Sequence, residues 1–283
     1  MSETVLAVLG HGIVPADMPI LRADDLGVVR GDGVFETIHV RGAEPFLLNE
    51  HLSRMARSAA RMELALPPAE ELVKLAAQAC GGWDPAVEGA LRLTCTRGPE
   101  ATGQVTCYAM LTAVLPTTKT ARARGVRVAG ITLGFPAGIR TDAPWLLGGV
   151  KSLSYAVNMA SQRWATAHDL DDVLWLSADG FVLEAPTSTV VWRDGDALCT
   201  VPVERTGILP GTTARHLLDH AGALGLTADE RMITIASLMA ASGVWLLSSV
   251  RGCAPVITID GIPLASGADT ARIQAFLGFH APE

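Results

Sequence analysis

The chain has 283 residues, of which 49% are hydrophobic and 18% charged, and its formal net charge is -7. That length accommodates one large or two ordinary domains, and the hydrophobic share excludes a disordered chain. The acidic balance excludes a general nucleic-acid binder, which would present a basic face, but leaves room for a local basic pocket.

In chain order, residues 1–48 read as β-rich. The opening MSETVLAVLGHG has no basic region leading into a long apolar run, so no signal peptide is expected. GVFETIHV alternates around Phe35, Thr37 and His39, and a Gly42 turn leads into EPFLLNE. NEHLSRMARSAARMEL predicts a helix N-capped by Asn49, with Leu52, Met55, Ala56, Ala59 and Met62 at helical spacing. PAEELVKLAAQAC predicts a second helix, and GALRLTCT and VTCYAMLTAVL predict paired strands. The polar stretch PTTKTARAR breaks the pattern near 116–122 and marks a domain boundary. It separates a small α/β domain, 1–117, from a larger domain, 118–283.

Beyond the boundary, GVRVAGITL predicts a strand and GFPAGIRTDAPWLLGG a long loop, a kind of segment that is often functional. SYAVNMASQRWATAHDL predicts a helix, and DVLWLSADGFVLEAPTSTVVWRDGDALCT predicts strands joined by Asp-Gly turns. GTTARHLLDHAGALG predicts a helix opened by Gly211, Thr212 and Thr213. The uncharged run 232–250 nears membrane-span length, but Thr234, Ser237, Ser242, Gly243, Ser248 and Ser249 interrupt it. It reads as a strand, a short helix and a buried strand, and the class as α+β. The five cysteines, Cys80, Cys95, Cys107, Cys199 and Cys253, include no CxxC pair and no zinc-type spacing. Reduced thiols in a cytosolic protein without a metal are expected.

Four features bear on chemistry. The lysines are Lys74, Lys119 and Lys151 alone, and Lys151 follows Gly148-Gly149-Val150 ahead of a predicted helix. Arginine stays protonated, whereas a desolvated lysine can act as nucleophile or base. A position at a helix N-terminus would lower its pKa; the plainer reading is a surface lysine. Glu184 lies in the apolar pattern GFVLEAPTSTVVW, so burial demands a partner, either an arginine or a protonated ring nitrogen. Thr212 and Thr213 open a helix, where they either cap it or bind a phosphate. Arg54 shares a helix face with Arg57 and Arg61, and is either solvated or grips a phosphate. GDGVFET lacks the GxGxxG pattern and points to no dinucleotide.

Taken in order, RGDGVFETIHVRGAEPFLLNEHLSRMARSA, VKSLSY, GFVLEAPTST and GILPGTTAR resemble the fold-type IV pyridoxal-phosphate enzymes, over about residues 22–255. The resemblance implies an α+β, two-domain, D-amino-acid aminotransferase-like fold, a homodimer, and pyridoxal 5'-phosphate as cofactor. It implies that Lys151, in the larger domain, carries the cofactor covalently and acts as catalytic base. Glu184 would keep the pyridine nitrogen protonated, which makes the ring an electron sink. Arg54, Thr212, Thr213 and Ser249 would hold the phosphate, and Leu209 would pack on the ring.

Within the family, Lys151-Ser152-Leu153-Ser154 is similar to the Lys-x-Leu-(Ser/Asn) of 4-amino-4-deoxychorismate lyases, as are RGDGVFET and LRLTCTRG. Branched-chain aminotransferases show Lys-x-Gly-Gly-Asn-Tyr instead. D-amino-acid aminotransferases favour tyrosine where Phe35 stands and carry an Arg-x-His trap after Thr-Arg-Gly. Here Thr96-Arg97-Gly98 is followed by PEATGQ. Two positions depart from lyases: some carry arginine at the place of Tyr155, and an asparagine is common at that of Thr189. The implied reaction converts 4-amino-4-deoxychorismate to 4-aminobenzoate and pyruvate, a step toward folate. The alternative is a class IV aminotransferase acting on D-amino or branched-chain amino acids. Either way the partner is a small anionic amine rather than nucleic acid or membrane, and the expected compartment is the cytoplasm. Phe35 and Tyr155 would line the substrate site, with Arg97, Arg140 and Arg251 as candidates for its carboxylates.

Overall fold

The computed structural model describes residues 4–265 and 267–279. The chain divides into two units, Met1–Leu115 with Val150–Tyr155, and Pro116–Gly149 with Ala156–Glu283. Helices and two sheets in two units make this an α+β, two-domain arrangement.

The first unit is built on an antiparallel sheet. Its strands are β1 (Val5–Val8), β2 (Gly12–Val14), β3 (Gly33–Arg41), β4 (Glu44–Pro45), β5 (Gly89–Thr96) and β6 (Thr106–Ala113), in the order β2-β1-β6-β5-β3-β4. Its helices are α1 (Leu26–Arg30), α2 (Leu48–Arg61) and α3 (Ala69–Cys80). Side chains alternate across a strand. Val34, Ile38 and Val40 of β3 therefore meet Leu91 and Leu93 of β5 in one core, with Leu52, Met55 and Ala59 of α2 and Leu72, Leu75 and Ala79 of α3. Each fully buried Leu or Met there contributes about 1.5–3 kcal/mol.

Local chemistry shifts some boundaries. The β-rich opening contains α1, capped by the Asp25 carboxylate, which accepts from Gly27 N at 2.8 Å, and closed by Gly31 at φ 67°. Asn49 is not the N-cap of α2; the helix starts at Leu48 after Leu47, whose φ of 57° turns the chain out of β4. Cys95 and Cys107, expected as thiols, form a disulfide. The β5–β6 register sets these two residues directly opposite each other, with Cα atoms 4.3 Å apart. Cys80, Cys199 and Cys253 are free and buried.

The segment around Lys151 also departs from expectation. Sequence reading placed it with the C-terminal domain, but Val150–Tyr155 groups with the first unit. The reason is backbone pairing with β3: Phe35 N donates to Lys151 O at 3.1 Å, and Leu153 N to Gly33 O at 2.8 Å.

The second unit opens with α4 (Pro116–Arg124), the polar stretch read above as a break. Proline suits the first helical position, and none of the helix's residues is buried, so polarity there marks a solvated helix. Then follow β7 (Val126–Thr132), α5 (Ile139–Asp142), α6 (Ala156–Ala167), β8 (Asp172–Leu176), β9 (Thr189–Asp194), β10 (Ala197–Thr200), α7 (Val203–Thr206) and α8 (Thr212–Asp219). The unit ends with β11 (Thr227–Glu230), α9 (Ile235–Met239), β12 (Gly243–Ser248), β13 (Gly252–Ile259), β14 (Ile262–Pro263) and α10 (Thr270–Phe276). Its mixed sheet runs β11-β10-β9-β12-β13-β7-β8, with β14 beside β13. Val190 and Trp192 of β9, with Val244 and Leu246 of β12, enter one core, while Val191, Trp245 and Leu247 enter another on the opposite face. A sheet covered on both faces explains the unbroken apolar run of β12. Among the described residues no helix is long and apolar enough to cross a membrane.

One polar cluster penetrates the first core. Glu36, between Phe35 and Thr37 on β3, is fully buried. Arg54 of α2 donates to it from Nε at 2.8 Å and from Nη2 at 2.6 Å, and His51 Nδ1 lies 2.7 Å from Oε2. Since an ionised carboxylate only accepts, His51 carries its proton on Nδ1. Burial alone would raise the Glu36 pKa, but the charge and hydrogen bonds of Arg54, with the His51 bond, outweigh it and hold the carboxyl at about 2. Burial likewise pushes the His51 pKa down.

Glu36→Gln, which leaves the Arg54 charge buried without its counter-ion, should lower stability near neutral pH by about 3–5 kcal/mol. The folded pKa of about 2 lies below the ordinary 4.5, so the stabilisation is complete above 4.5 and disappears as pH falls toward 2. Urea unfolding of both proteins across that range should show the gap narrowing with acid. A gap independent of pH would refute the ionised pair.

Candidate active site

In the first unit, Lys151 is held by its backbone before its side chain is considered. Its N–H donates to the Ser58 hydroxyl of α2 at 3.1 Å, and its carbonyl accepts from Phe35. Gly149, at φ 73°, makes the preceding turn. Lys151 Nζ then lies 4.5 Å from the centre of the Phe35 ring and 5.5 Å from that of Tyr155, and the two rings meet edge to face at 5.2 Å. These aromatic walls, expected from sequence as substrate-site residues, do gather around the amine. The helix-dipole argument for Lys151 does not hold: α6 begins at Ala156, so Lys151 lies outside the first turn, where the dipole acts.

Arg54 is not on the solvent with Arg57 and Arg61 but buried against Glu36. Arg97 braces a turn: it donates to both oxygens of Asp32, at 2.6 and 3.1 Å, and to the carbonyls of Met62 and Glu63. Arg92, which sequence reasoning passed over, places its guanidinium 4.0 Å from the Phe35 ring centre. The available signal was an arginine between Leu91 and Leu93 in an apolar strand, and the same signal, a charge inside an apolar alternation, marked Glu36.

In the second unit, Glu184 lies beside β8, where Trp175 N donates to its carbonyl at 2.8 Å. Its side chain is nearly buried, with Oε1 accepting from Arg140 Nη1 at 3.0 Å and Oε2 from Leu209 N at 3.1 Å. Of the partners sequence offered for Glu184, arginine is therefore present. Leu209 contributes a backbone donor, a role that sequence reading did not assign. Arg140 also lies over the rings of Phe135 and Trp175, at 5.4 and 5.7 Å. Arg251 pairs with the fully buried Asp172 at 2.8 Å. Both arginines thus serve carboxylates of the protein itself.

The hydroxyl residues of this unit gather at strand ends and at the start of α8. A Cβ on Gly211, the N-cap of α8, would collide with the Thr189 hydroxyl, so glycine is required for this close approach. Thr189 pairs with Leu247 across β9 and β12, and Ser249 lies in the turn just beyond β12. The hydroxyls of Ser188 and Thr213 are buried without a hydrogen-bond partner among the described residues. An unmet buried donor costs about 1–3 kcal/mol, a deficit that the oxygens of an anion would remove. Donors at the N-terminus of α8 add a partial positive charge. This donor set fits the phosphate of pyridoxal phosphate. Among the described residues no cluster of His, Cys, Asp and Glu could hold a metal ion.

Residues 33–259 match the amino-transferase class IV family. The chain is 40% identical over 265 residues to a bifunctional aminodeoxychorismate lyase / D-amino acid transaminase of Mycobacterium tuberculosis, covering 91% of this chain and 92% of that one. It is 30% identical over 267 residues to a D-alanine aminotransferase of Bacillus licheniformis, covering 90% and 89%. The solved structure of a hypothetical aminotransferase from Mycobacterium tuberculosis in its PLP-bound form superposes with a TM-score of 0.93 at 38% identity, over 98% of each chain. With its fold shared along nearly its whole length by a PLP-bound neighbour, the chain belongs to the class IV aminotransferase family of pyridoxal-phosphate enzymes.

Proposed function

We propose that this enzyme is a 4-amino-4-deoxychorismate lyase, which cleaves its substrate to 4-aminobenzoate and pyruvate on the way to folate. The observation that carries the reading is Lys151, whose Nζ faces Phe35 and Tyr155 within the lyase-like run Lys151-Ser152-Leu153-Ser154. The 40% identity to a bifunctional relative supports it. Bound pyridoxal phosphate supplies a ring that withdraws electrons from the substrate's amine-bearing carbon. Lys151 would carry the cofactor and, once released, would be the base that takes the proton from that carbon. The same amine returns the proton to the departing enolpyruvyl carbon, so atoms balance without a co-reactant. Glu184, oriented by Arg140 and the Leu209 N–H, would hold the proton of the cofactor's ring nitrogen. Arg54, Thr212, Thr213 and Ser249 are assigned to the phosphate. A homodimer in the cytoplasm belongs to the same reading.

A second reading is D-amino-acid transamination, favoured by the relatives' names. Supplying purified holoenzyme with 4-amino-4-deoxychorismate, and separately with D-alanine and a keto acid, discriminates. Equal release of pyruvate and 4-aminobenzoate marks the lyase, and amino transfer alone would overturn it.

Lys151→Ala should abolish turnover while leaving the fold intact. Borohydride reduction of the wild-type holoenzyme followed by peptide mapping should label Lys151, and a label on Lys74 or Lys119 would refute the assignment. Glu184→Gln keeps the shape and one acceptor but not the charge, so cofactor binding should persist while kcat falls roughly a hundred-fold or more, equivalent to a few kcal/mol. An unchanged rate of proton abstraction would exclude the role. Thr213→Val should weaken pyridoxal phosphate by about 0.5–1.5 kcal/mol, the value of one net hydrogen bond. Titration of the apoprotein should show no such loss for phosphate-free pyridoxal; equal losses would point to packing.

A further inference from the structure

The substrate class proposed above carries carboxylates, yet the three arginines that sequence offered for them are engaged. Arg97 holds Asp32, Arg140 holds Glu184 and Arg251 holds Asp172. Arg92 differs from all three. It is half-buried in the middle of β5, and among the described residues no carboxylate or carbonyl accepts from its guanidinium. Burial pushes its pKa below the ordinary arginine value, with the Tyr108 and Tyr155 phenols acting in the opposite direction. A cation taken partly out of water without a counter-ion is an uncompensated cost in the folded protein.

Strand register shows what surrounds it. β3 and β5 pair Thr37 with Arg92 and Phe35 with Thr94, and β5 and β6 pair Thr94 with Tyr108. Phe35, Arg92, Thr94 and Tyr108 therefore share one face of the sheet, opposite the face that carries Glu36 and the core. Thr94 is 1% exposed, and its hydroxyl has no hydrogen-bond partner among the described residues. The Phe35 ring touched by Arg92 at 4.0 Å is the ring that lies 4.5 Å from Lys151 Nζ. An unpaired guanidinium, an orphaned buried hydroxyl and the reactive amine thus converge on a single aromatic side chain.

We propose that Arg92, with the Thr94 hydroxyl as a second donor, binds a carboxylate of the amine substrate that reacts at Lys151. This rests on the reading of Lys151 as the reacting amine, but not on whether lysis or transamination follows. A planar guanidinium presents paired N–H donors that match a carboxylate, and such a bond strengthens where water is excluded. Arg92 is then a specificity residue that selects amino acids over plain amines.

The test uses holoenzyme titrated with 4-aminobenzoate and with its neutral counterpart 4-aminobenzamide, read from the absorbance of the bound cofactor. Wild type should prefer the carboxylate by roughly 10- to 100-fold, the range expected for hydrogen bonds to a charged group. Arg92→Gln should erase that preference while affinity for the amide and the absorbance of the unliganded holoenzyme stay unchanged, and Arg92→Lys should restore part of it. An undiminished preference in Arg92→Gln, or equal weakening of both ligands, overturns the proposal. The same variants are assayed for D-alanine transamination, where Arg92→Gln should raise KM roughly 10- to 100-fold with kcat within a few-fold. An unchanged KM also overturns it. Wild-type transamination without lysis would instead refute the lyase reading, with the D-alanine KM still deciding Arg92.

Discussion

The ion pair between Glu36 and Arg54, with His51 as a third partner, ties α2 to β3 at a depth where water cannot replace a missed bond. Apolar contacts such as those of Met55 with the sheet are not directional. A charged fork is, so it fixes the rotation of the helix and its height along the strand. That precision reaches Lys151 by two short routes. Ser58, one turn beyond Arg54, holds the Lys151 N–H. Phe35, the neighbour of Glu36 on the other face of β3, donates its backbone N–H to the Lys151 carbonyl and sets its ring by the amine. The clamp and the amine are thus opposite faces of the same two residues of strand.

Most of the buried carboxylates follow one rule, the exception being Asp25, whose partners are the Thr96 and Thr106 hydroxyls and the Gly27 N–H. Glu36, Glu184 and Asp172 each have an arginine, and in each pair the arginine has structural work to do, whatever else it binds. For Glu184 this work is orientation. Arg140 takes one oxygen and the Leu209 N–H the other, so the carboxylate cannot swing without losing a charged bond and a backbone bond together. Arg92 breaks the rule, and the break lies on the sheet face of Phe35.

In the second unit a set of hydroxyl groups sits where the sheet ends. β9 and β12 are covered on both faces, which leaves no room for polar side chains in their middles. Hydroxyl groups appear at Ser188, Thr189 and Ser249, at or beyond the strand ends, and at Thr213 in the first turn of α8. There the backbone ladder stops and donors turn toward whatever can accept from them. Gly211 permits the close approach of α8 to Thr189 that brings these donors together.

The α+β class and the cofactor family are legible along the chain, because they depend on local pattern. Alternation marked β3, β5 and β6; three- and four-residue spacing marked α2 and α3; and short motifs around Lys151, Glu184 and Thr212-Thr213 carried the resemblance. Motif order is written along the chain and needs no folding to be read. Partners are not. Whether Cys95 meets Cys107 depends on hairpin register, and whether Lys151 belongs with β3 or with the helix after it depends on backbone bonds to residues more than a hundred positions earlier. A polar stretch such as PTTKTARAR reads alike as a loop or as a solvated helix, since neither buries anything. Above all, the arginines look equivalent in sequence. Folding is what gives Arg54, Arg97, Arg140 and Arg251 carboxylates within reach and sets Arg92 over a ring instead, because an ion pair is a matter of a few ångströms in space and not of spacing along the chain.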